Sequence, residues 1–537
     1  IMRSQHEFSQ VPTQGVPRSS FNLSHSHKTT IDADFLYPIC QPIDIIPGDT
    51  FSCKTSFFLR LNTMLRPILD NLHFETFAFF VPYRTIWVNH EKFHGARDDP
   101  ADDIDFTIPI MSSAVGTHTA VGKLWDYFTL PTGAIPNDTP VSALPFRAYI
   151  KIFNEWFRDE NLQDSITLQT GNGPDTIDSA TNAEVVKRGK RKDYFCSCLP
   201  WPQKGSAVSM PLGTSAPITG IGFNTSATAN SPINARETDG SGTTAYLKRM
   251  DPDTANQIYF EEDPTNLGFP NIRADLSSAL APTINDIRLA FQTQRVLERD
   301  ARSGTRYVEL LKSHWQVVSP DFRLQRSEFL GGGSSTISLS PVAQVNAQTT
   351  PTENDKVGNL AANGTVSGTH SWTKSFVEHG VVIILGNIRG DITYSQGVDR
   401  YWSKSTRFEF YYPILQGIGE QSVLNKEIFL TGTGTPATDN LVFGYQERFA
   451  EYRYLNSKLT SLMRPDAAGT LASWHLSEDF GSLPALGNTF IQANTGVPLD
   501  RAIAVPTEPQ FFADFFHEIK AARPMPLYGV PGGIDRF

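Results

Sequence analysis

The sequence predicts a mainly β fold, a single β-sandwich interrupted by long insertions and carrying a few helices. Phe-, Val- and Thr-rich runs of strand length occur in both the first and the last third of the chain. First-half strands therefore need second-half partners, which one sandwich supplies and a string of independent domains does not. Stretches crowded with Ser, Thr, Gly, Asn and Pro separate these runs and are far longer than ordinary connections inside compact domains. With 537 residues, 39% of them hydrophobic and 11% aromatic, the chain has enough apolar material for a sizeable core and is not a disordered protein.

Residues 1–45 are polar and proline-punctuated, and are expected to form an extended arm that feeds the first strand and reaches across neighbouring molecules. The turn "PGDT" (47–50) opens the body, which runs to 202. Its runs "TFSCKTSFFLRL" (50–61) and "HFETFAFFVPY" (73–83) are apolar enough to suggest strands covered on both sides. "LPFRAYIKIFNEWFRDENL" (144–162) changes period: Phe146, Tyr149, Ile150, Phe153, Trp156 and Phe157 form one aromatic helix face. Residues 203–282 are a surface insertion by composition. A second helix starts at Thr283, with a cap-like hydroxyl, and runs to Gly304. The remainder, 283–537, completes the sandwich around a second low-complexity insertion, 331–369, with strands expected at 379–394, 405–414, 426–432 and 440–455.

Formal net charge is -10, so a protein that coats nucleic acid over its whole surface is excluded and any such contact must be local. The densest positive cluster is Lys187, Arg188, Lys190, Arg191 and Lys192, with Tyr194 and Phe195 beside it. It offers phosphate neutralisation and a stacking surface, and is the candidate for DNA or subunit-interface contact; its bland reading is a solvated loop. No run of 18 apolar residues and no apolar signal-peptide centre occurs, which reads as a soluble, cytosol-made protein with no membrane partner. Four cysteines, Cys40, Cys53, Cys196 and Cys198, are too sparse for a disulfide scaffold; Cys196 and Cys198 read as two buried residues of one strand.

"NHEKFHG" holds His90, Glu91 and His94 in the HExxH spacing of zinc hydrolases. The context weighs against that chemistry, because Gly95 follows at once and no further histidine occurs before His118. No Walker A loop, GxSxG elbow or GxGxxG fingerprint is present, so no enzyme, cofactor or metal is expected. A zinc hydrolase and a carbohydrate-binding β-sandwich stand as the alternatives to a structural protein.

The strings "LPFRAYIKIFNEWFRDENLQD", "RGKRKDYFCSCLPWPQKG", "ERDARSGTRYVELLKSHW", "SFVEHGVVIILGNIRGDITYSQG", "FGYQERFAEYRY" and "RPMPLYGVPGGIDRF" closely resemble the major capsid proteins of the gokushovirus group of microviruses, small single-stranded DNA bacteriophages. The resemblance implies an eight-stranded antiparallel jelly roll with large inter-strand insertions. It further implies self-assembly of sixty copies into a T=1 icosahedral shell around circular single-stranded DNA, built in the bacterial cytoplasm. Implied partners are a small basic DNA-packaging protein, internal scaffolding or pilot proteins, and a host cell-surface receptor met by the 203–282 insertion at the threefold axes. His90 and His94 depart from the family pattern and read as local variation.

Overall fold

The strand β10 (Gly380–Gly390, "GVVIILGNIRG") is buried along its whole length, and the layers of the fold are arranged to cover its two faces. A computed structural model describes residues 17–208, 284–346 and 357–528, apart from 98, 112–116, 134–139, 176–183, 304–311, 317–324 and 433–435. Between 209 and 283 it describes only four two-residue strands, paired 218–219 with 273–274 and 234–235 with 248–249. The chain divides into two compact units, Ile1–Pro202 with Val318–Phe537, and Gln203–Val317. Most of the 203–282 segment, the residues before 17 and the Thr283 cap lie outside the described residues.

In the first unit two small two-stranded sheets, Thr393–Tyr394 parallel to Ser457–Lys458 and Glu420–Leu424 antiparallel to Val442–Glu447, the latter within the strand expected at 440–455, accompany an antiparallel sandwich. Its strands are β1 (Ser19–Asn22), β2 (His25–Ile31), β3 (Tyr37–Pro38), β4 (Ile43–Ile45), β5 (Thr50–Leu61), β6 (Leu72–Pro82), β7 (Glu328–Thr336), β8 (Ser338–Ala343), β9 (Leu360–Ser375), β10 and β11 (Phe511–Arg523). One sheet of six strands runs β1-β11-β5-β9-β8, with β2 also on β11; the other, of five, runs β7-β6-β10-β3, with β4 also on β10. Strands from opposite ends of the chain are neighbours: Phe511 faces Leu61 and Ala522 faces Thr50 along β11 and β5. Residues 19–31, expected in an extended arm, instead add short strands along β11 of the same chain.

The alternation of β5 and β11 sends Phe51, Cys53, Phe57, Leu59, Leu61, Phe511, Phe515 and Ile519 into the space between the sheets. There Phe57 meets Phe74 edge to face at 4.8 Å. On β10, Val382, Ile384 and Ile388 enter this same core, while Val381, Ile383 and Leu385 point the other way. The second face is covered by α2 (Leu144–Ile152), which follows the one-turn α1 (His90–Phe93); its Phe146, Tyr149 and Ile152 pack there, and the helix continues as a wider turn, Phe153–Phe157. The buried Arg147 locks α2 in place, donating to Asp175 at 2.7 and 2.5 Å and to the carbonyls of Ile86 and Gly171. In the second unit, α3 (Ile284–Arg302) carries Asp300, which bonds His314 at 2.6 Å.

Five expectations are corrected. The 50–61 strand is covered on one face only, and Phe58 on its other face is 46% exposed. The described parts of the 331–369 stretch form most of three strands, β7 to β9, rather than a surface insertion; residues 347–356 lie outside the described residues. Two of its glycines serve close approach: a Cβ at Gly332 would stand 2.0 Å from the Thr76 carbonyl, and one at Gly368 would stand 2.7 Å from the Phe57 ring. The 405–414 run forms single turns, Arg407–Glu409 and Pro413–Ile418, and 425–428 is helical; neither is a strand. Cys196 and Cys198 are buried as expected, but in a turn.

Replacing Gly332 with Val is expected to unpair β7 from β6 and lower stability of the unassembled chain by about 3 kcal/mol or more, at the severe end for single substitutions. Urea denaturation checks this; an unchanged midpoint would refute the close-approach role.

Candidate functional site

Where the 405–414 strand was expected, the chain displays an aromatic surface. Tyr401, Trp402, Phe408, Phe410, Tyr411, Tyr412, Ile414 and Leu455 are all exposed, Trp402 by 76%, Ile414 by 88% and Leu455 by 95%. Short turns hold this surface in shape. Thr406 and Glu409 close a reciprocal cap, the Glu409 carboxylate accepting from the backbone N–H groups of Thr406 and Ser405 at 2.7 and 2.6 Å. These bonds hold its carboxyl down at about 2. Lys404 lies over the Tyr452 ring at 4.0 Å while pairing with Glu451, and Arg407 lies over Phe408 and Tyr412. The aromatic run carries a strand's composition, yet among the described residues its rings stay largely exposed, Tyr411 alone packing edge to face on the buried Phe449 at 5.3 Å.

The basic tract is largely spent on acids of the same chain. Arg188, Arg191 and Arg389 converge on the Glu75 carboxylate of β6, Arg191 at 3.2 Å and Arg389 at 3.0 Å, with Arg188 closest. Burial alone would push the Glu75 carboxyl up; the three guanidinium groups outweigh it and hold the group below the usual range. Lys190 is buried against Glu478 at 2.7 Å, Lys192 pairs with Asp159, and Lys187 lies over the Phe35 ring at 5.3 Å. Tyr194, expected to offer a stacking face, is inside the core, its hydroxyl donating to Glu427 at 2.8 Å. The tract's partners lie far off in sequence, so composition alone gave no sign of them.

Beside the tract opens a cavity of about 410 Å³, walled by Phe77, Phe79, Trp156, Phe157 and Phe329. Its other lining residues include five basic ones, Arg158, Arg188, Lys190, Lys192 and Arg389, against one acid, Asp159. The lining thus combines aromatic rings with basic side chains, of which Arg188, Lys190 and Arg389 are already paired with acids.

The HExxH histidines stand on a single helical turn, not the long helix a zinc hydrolase uses. His90 is buried; burial and the neighbouring His94, His379 and Arg84 lower its imidazole to about 4. A third imidazole, His379 at the start of β10, completes the cluster, with ring centroids 4.7 Å (His90 to His94), 5.8 Å (His90 to His379) and 4.3 Å (His94 to His379). Glu91 is exposed. Among the described residues, no helix is long and apolar enough to cross a membrane.

Comparison with known proteins matches residues 9–533 to the family described as Capsid protein (F protein). The chain is 42% identical to the capsid protein VP1 of Bdellovibrio phage phiMH2K, over 99% of each chain. It is 38% identical to capsid protein VP1 of Chlamydia phage 1, over 98% of each. To capsid protein VP1 of Spiroplasma virus 4 it is 33% identical, over 98% of this chain and 97% of that one.

The Glu75→Gln substitution leaves three guanidinium groups facing a neutral amide, and is expected to cost about 3–5 kcal/mol, the range for breaking a buried pair. Because the Glu75 carboxyl is depressed in the folded chain, its contribution is present above about pH 4.5 and is lost as pH falls through the lowered value. Denaturant midpoints for both proteins between pH 7 and pH 3 check this: the gap narrows towards acid, and a gap that stays constant with pH contradicts the clamp.

Proposed function

This chain belongs to the capsid protein (F protein) family, and on that premise we propose that it joins further copies of itself through the aromatic surface of residues 401–414 and 452–455. It is a structural protein of a phage virion and not an enzyme, and its family implies assembly into a multi-copy capsid. The single observation that carries the reading is the exposure of so many large apolar side chains within 401–414 and 452–455. Monomeric proteins rarely expose apolar patches beyond a few hundred Å². Tyr, Trp and Arg are the residue types that dominate binding energy where protein surfaces meet. The Glu409 cap and the Lys404 contacts fix the rings in advance, so little ordering cost is left for association.

The finer architecture is part of the same proposal: a T=1 shell of sixty copies around circular single-stranded DNA, assembled in the host cytoplasm. Residues 203–282 are proposed as the outward insertion that meets a host receptor, and small basic packaging and internal scaffolding proteins as the partners that complete assembly. A net charge of -10 supports the need for a separate basic partner, since the chain as a whole repels a polyanion.

For local DNA contact the aromatic cavity beside the basic tract is the favoured place. An unpaired base can stack on Trp156 or Phe157 while Arg158 and Lys192, the latter exposed although it also pairs with Asp159, meet its phosphates. Arg188 and Lys190 stay committed to Glu75 and Glu478.

A triple variant, Trp402→Ser, Phe408→Ser and Ile414→Ser, is expected to leave the circular dichroism spectrum of the chain unchanged and to reduce particle yield at least about tenfold, since each hot-spot contact contributes ~2 kcal/mol. Sedimentation analysis reads the yield; particles at the unaltered level would refute this surface as the contact between copies. For the cavity, Trp156→Ala with Lys192→Gln is expected to weaken binding of a short oligothymidylate and to flatten its salt dependence by about one phosphate contact. Unchanged affinity and slope would refute it.

A further inference from the structure

Where β6 ends and β10 begins, we propose that His90, His94 and His379 form a binding site for one divalent transition-metal ion of the zinc class, held as a structural staple with its remaining position open to water. His90 and His94, four residues apart, stand on the same side of the α1 turn. His379 is brought to them by the sheet: the next residue, Gly380, is registered against Pro82, and the Tyr83 N–H donates to the His379 carbonyl at 3.1 Å. Two segments distant in sequence are thus fixed together by backbone bonds before any ion arrives. The discounted HExxH spacing lacked a nearby third histidine, and the topology supplies it.

One ligand nitrogen from each ring lies within 4.8 Å of the others. Nitrogens about 2.0–2.1 Å from a shared tetrahedral zinc stand roughly 3.3 Å apart, so ring movements on the order of an ångström close the site. The parts that must move can do so. His94 and His379 stack at 11° between planes, His94 is exposed and His379 half-buried, and among the described residues no side-chain hydrogen bond holds either. His90 is 7% exposed, and its Nε2 is buried without a hydrogen-bond partner among the described residues. A buried imidazole nitrogen left unpaired is costly, and a metal ion satisfies its lone pair.

An all-imidazole donor set suits zinc, nickel, cobalt or copper, not calcium or magnesium, which take oxygen ligands. The nearby Arg84 charge is offset by Glu378, which accepts from its guanidinium at 2.6 Å. A second cluster, His25, Cys40 and His517, looks similar by proximity but is already occupied. His517 bonds the Thr55 hydroxyl through Nδ1 at 3.0 Å and the Ile39 carbonyl through Nε2 at 2.8 Å, which leaves no free lone pair. Burial also pushes the Cys40 thiol well up, away from the thiolate a metal needs. The role inferred for the first cluster is mechanical: Glu91 points to solvent, and the ion would tie the 83–94 segment to β10.

The test is equilibrium dialysis of the purified full-length chain against zinc chloride at pH 7.5, with metal content measured per chain. About one zinc per chain is expected, with the affinity reduced by at least about tenfold in His94→Gln and in His379→Asn, since loss even of an outer-shell partner costs that much. His94 is exposed, so its replacement leaves the fold intact. Cobalt in place of zinc is expected to give the intense visible absorption of a four- or five-coordinate ion. No zinc retained at about 100 µM, far weaker than the range of structural zinc sites, overturns the proposal, as does equal retention by the protein and both variants. A loss of zinc that follows Cys40→Ser instead would put the ion at the other cluster and also overturn it.

Discussion

Everything in the first unit hangs on the two-sided burial of Gly380–Gly390. A strand apolar on both faces needs a layer on each, and hydrophobic burial at roughly 25 cal/mol per Å² makes leaving either face wet prohibitive. One layer is the facing sheet, in which β5 and β11 join the two ends of the chain. The other is α2, locked by Arg147. Neither the sandwich nor the helical layer can form until segments hundreds of residues apart have met. Such a topology orders itself slowly, because loop closure must precede the contacts that reward it.

Charge is used in two ways around that frame. Inside, it fixes register: Glu75 on β6 gathers one arginine from β10 and two from the 187–192 tract, tying a loop to both strands of one sheet. Such pairs contribute little net stability over apolar packing, and their value lies in excluding other arrangements. At the surface, Lys404 and Arg407 hold aromatic rings in place. The Lys and Arg of the tract are used mainly to build the fold, through Glu75, Glu478 and Asp159.

The parts of this fold that were legible in the sequence are those governed by local periodicity. The aromatic face of 144–157 read as a helix, and the β-branched run at 379–394 read as a strand, though its cover on both faces did not. The alternation in Phe511–Arg523 was an equally clear signal that the strand assignment passed over. Misreadings came where tertiary contacts overrule composition. Gly332 and Gly368 look like loop residues but give the room two strands need, and the rings of 405–414 look like core although among the described residues they stay largely exposed. For the candidate sites, the sequence located the basic tract and the HExxH pair. It could not show that Glu75 and Glu478 neutralise the first, or that His379 joins the second, because those encounters are made by tertiary contacts between segments far apart in the chain.

The central claim is that the aromatic surface of 401–414 and 452–455 is where one copy meets the next. Electron cryomicroscopy of assembled particles, at a resolution that shows side chains, tests it most directly. The account predicts Trp402, Phe408, Ile414 and Leu455 buried against a neighbouring copy. A closed shell in which those side chains face solvent, with the contacts made elsewhere, would contradict it.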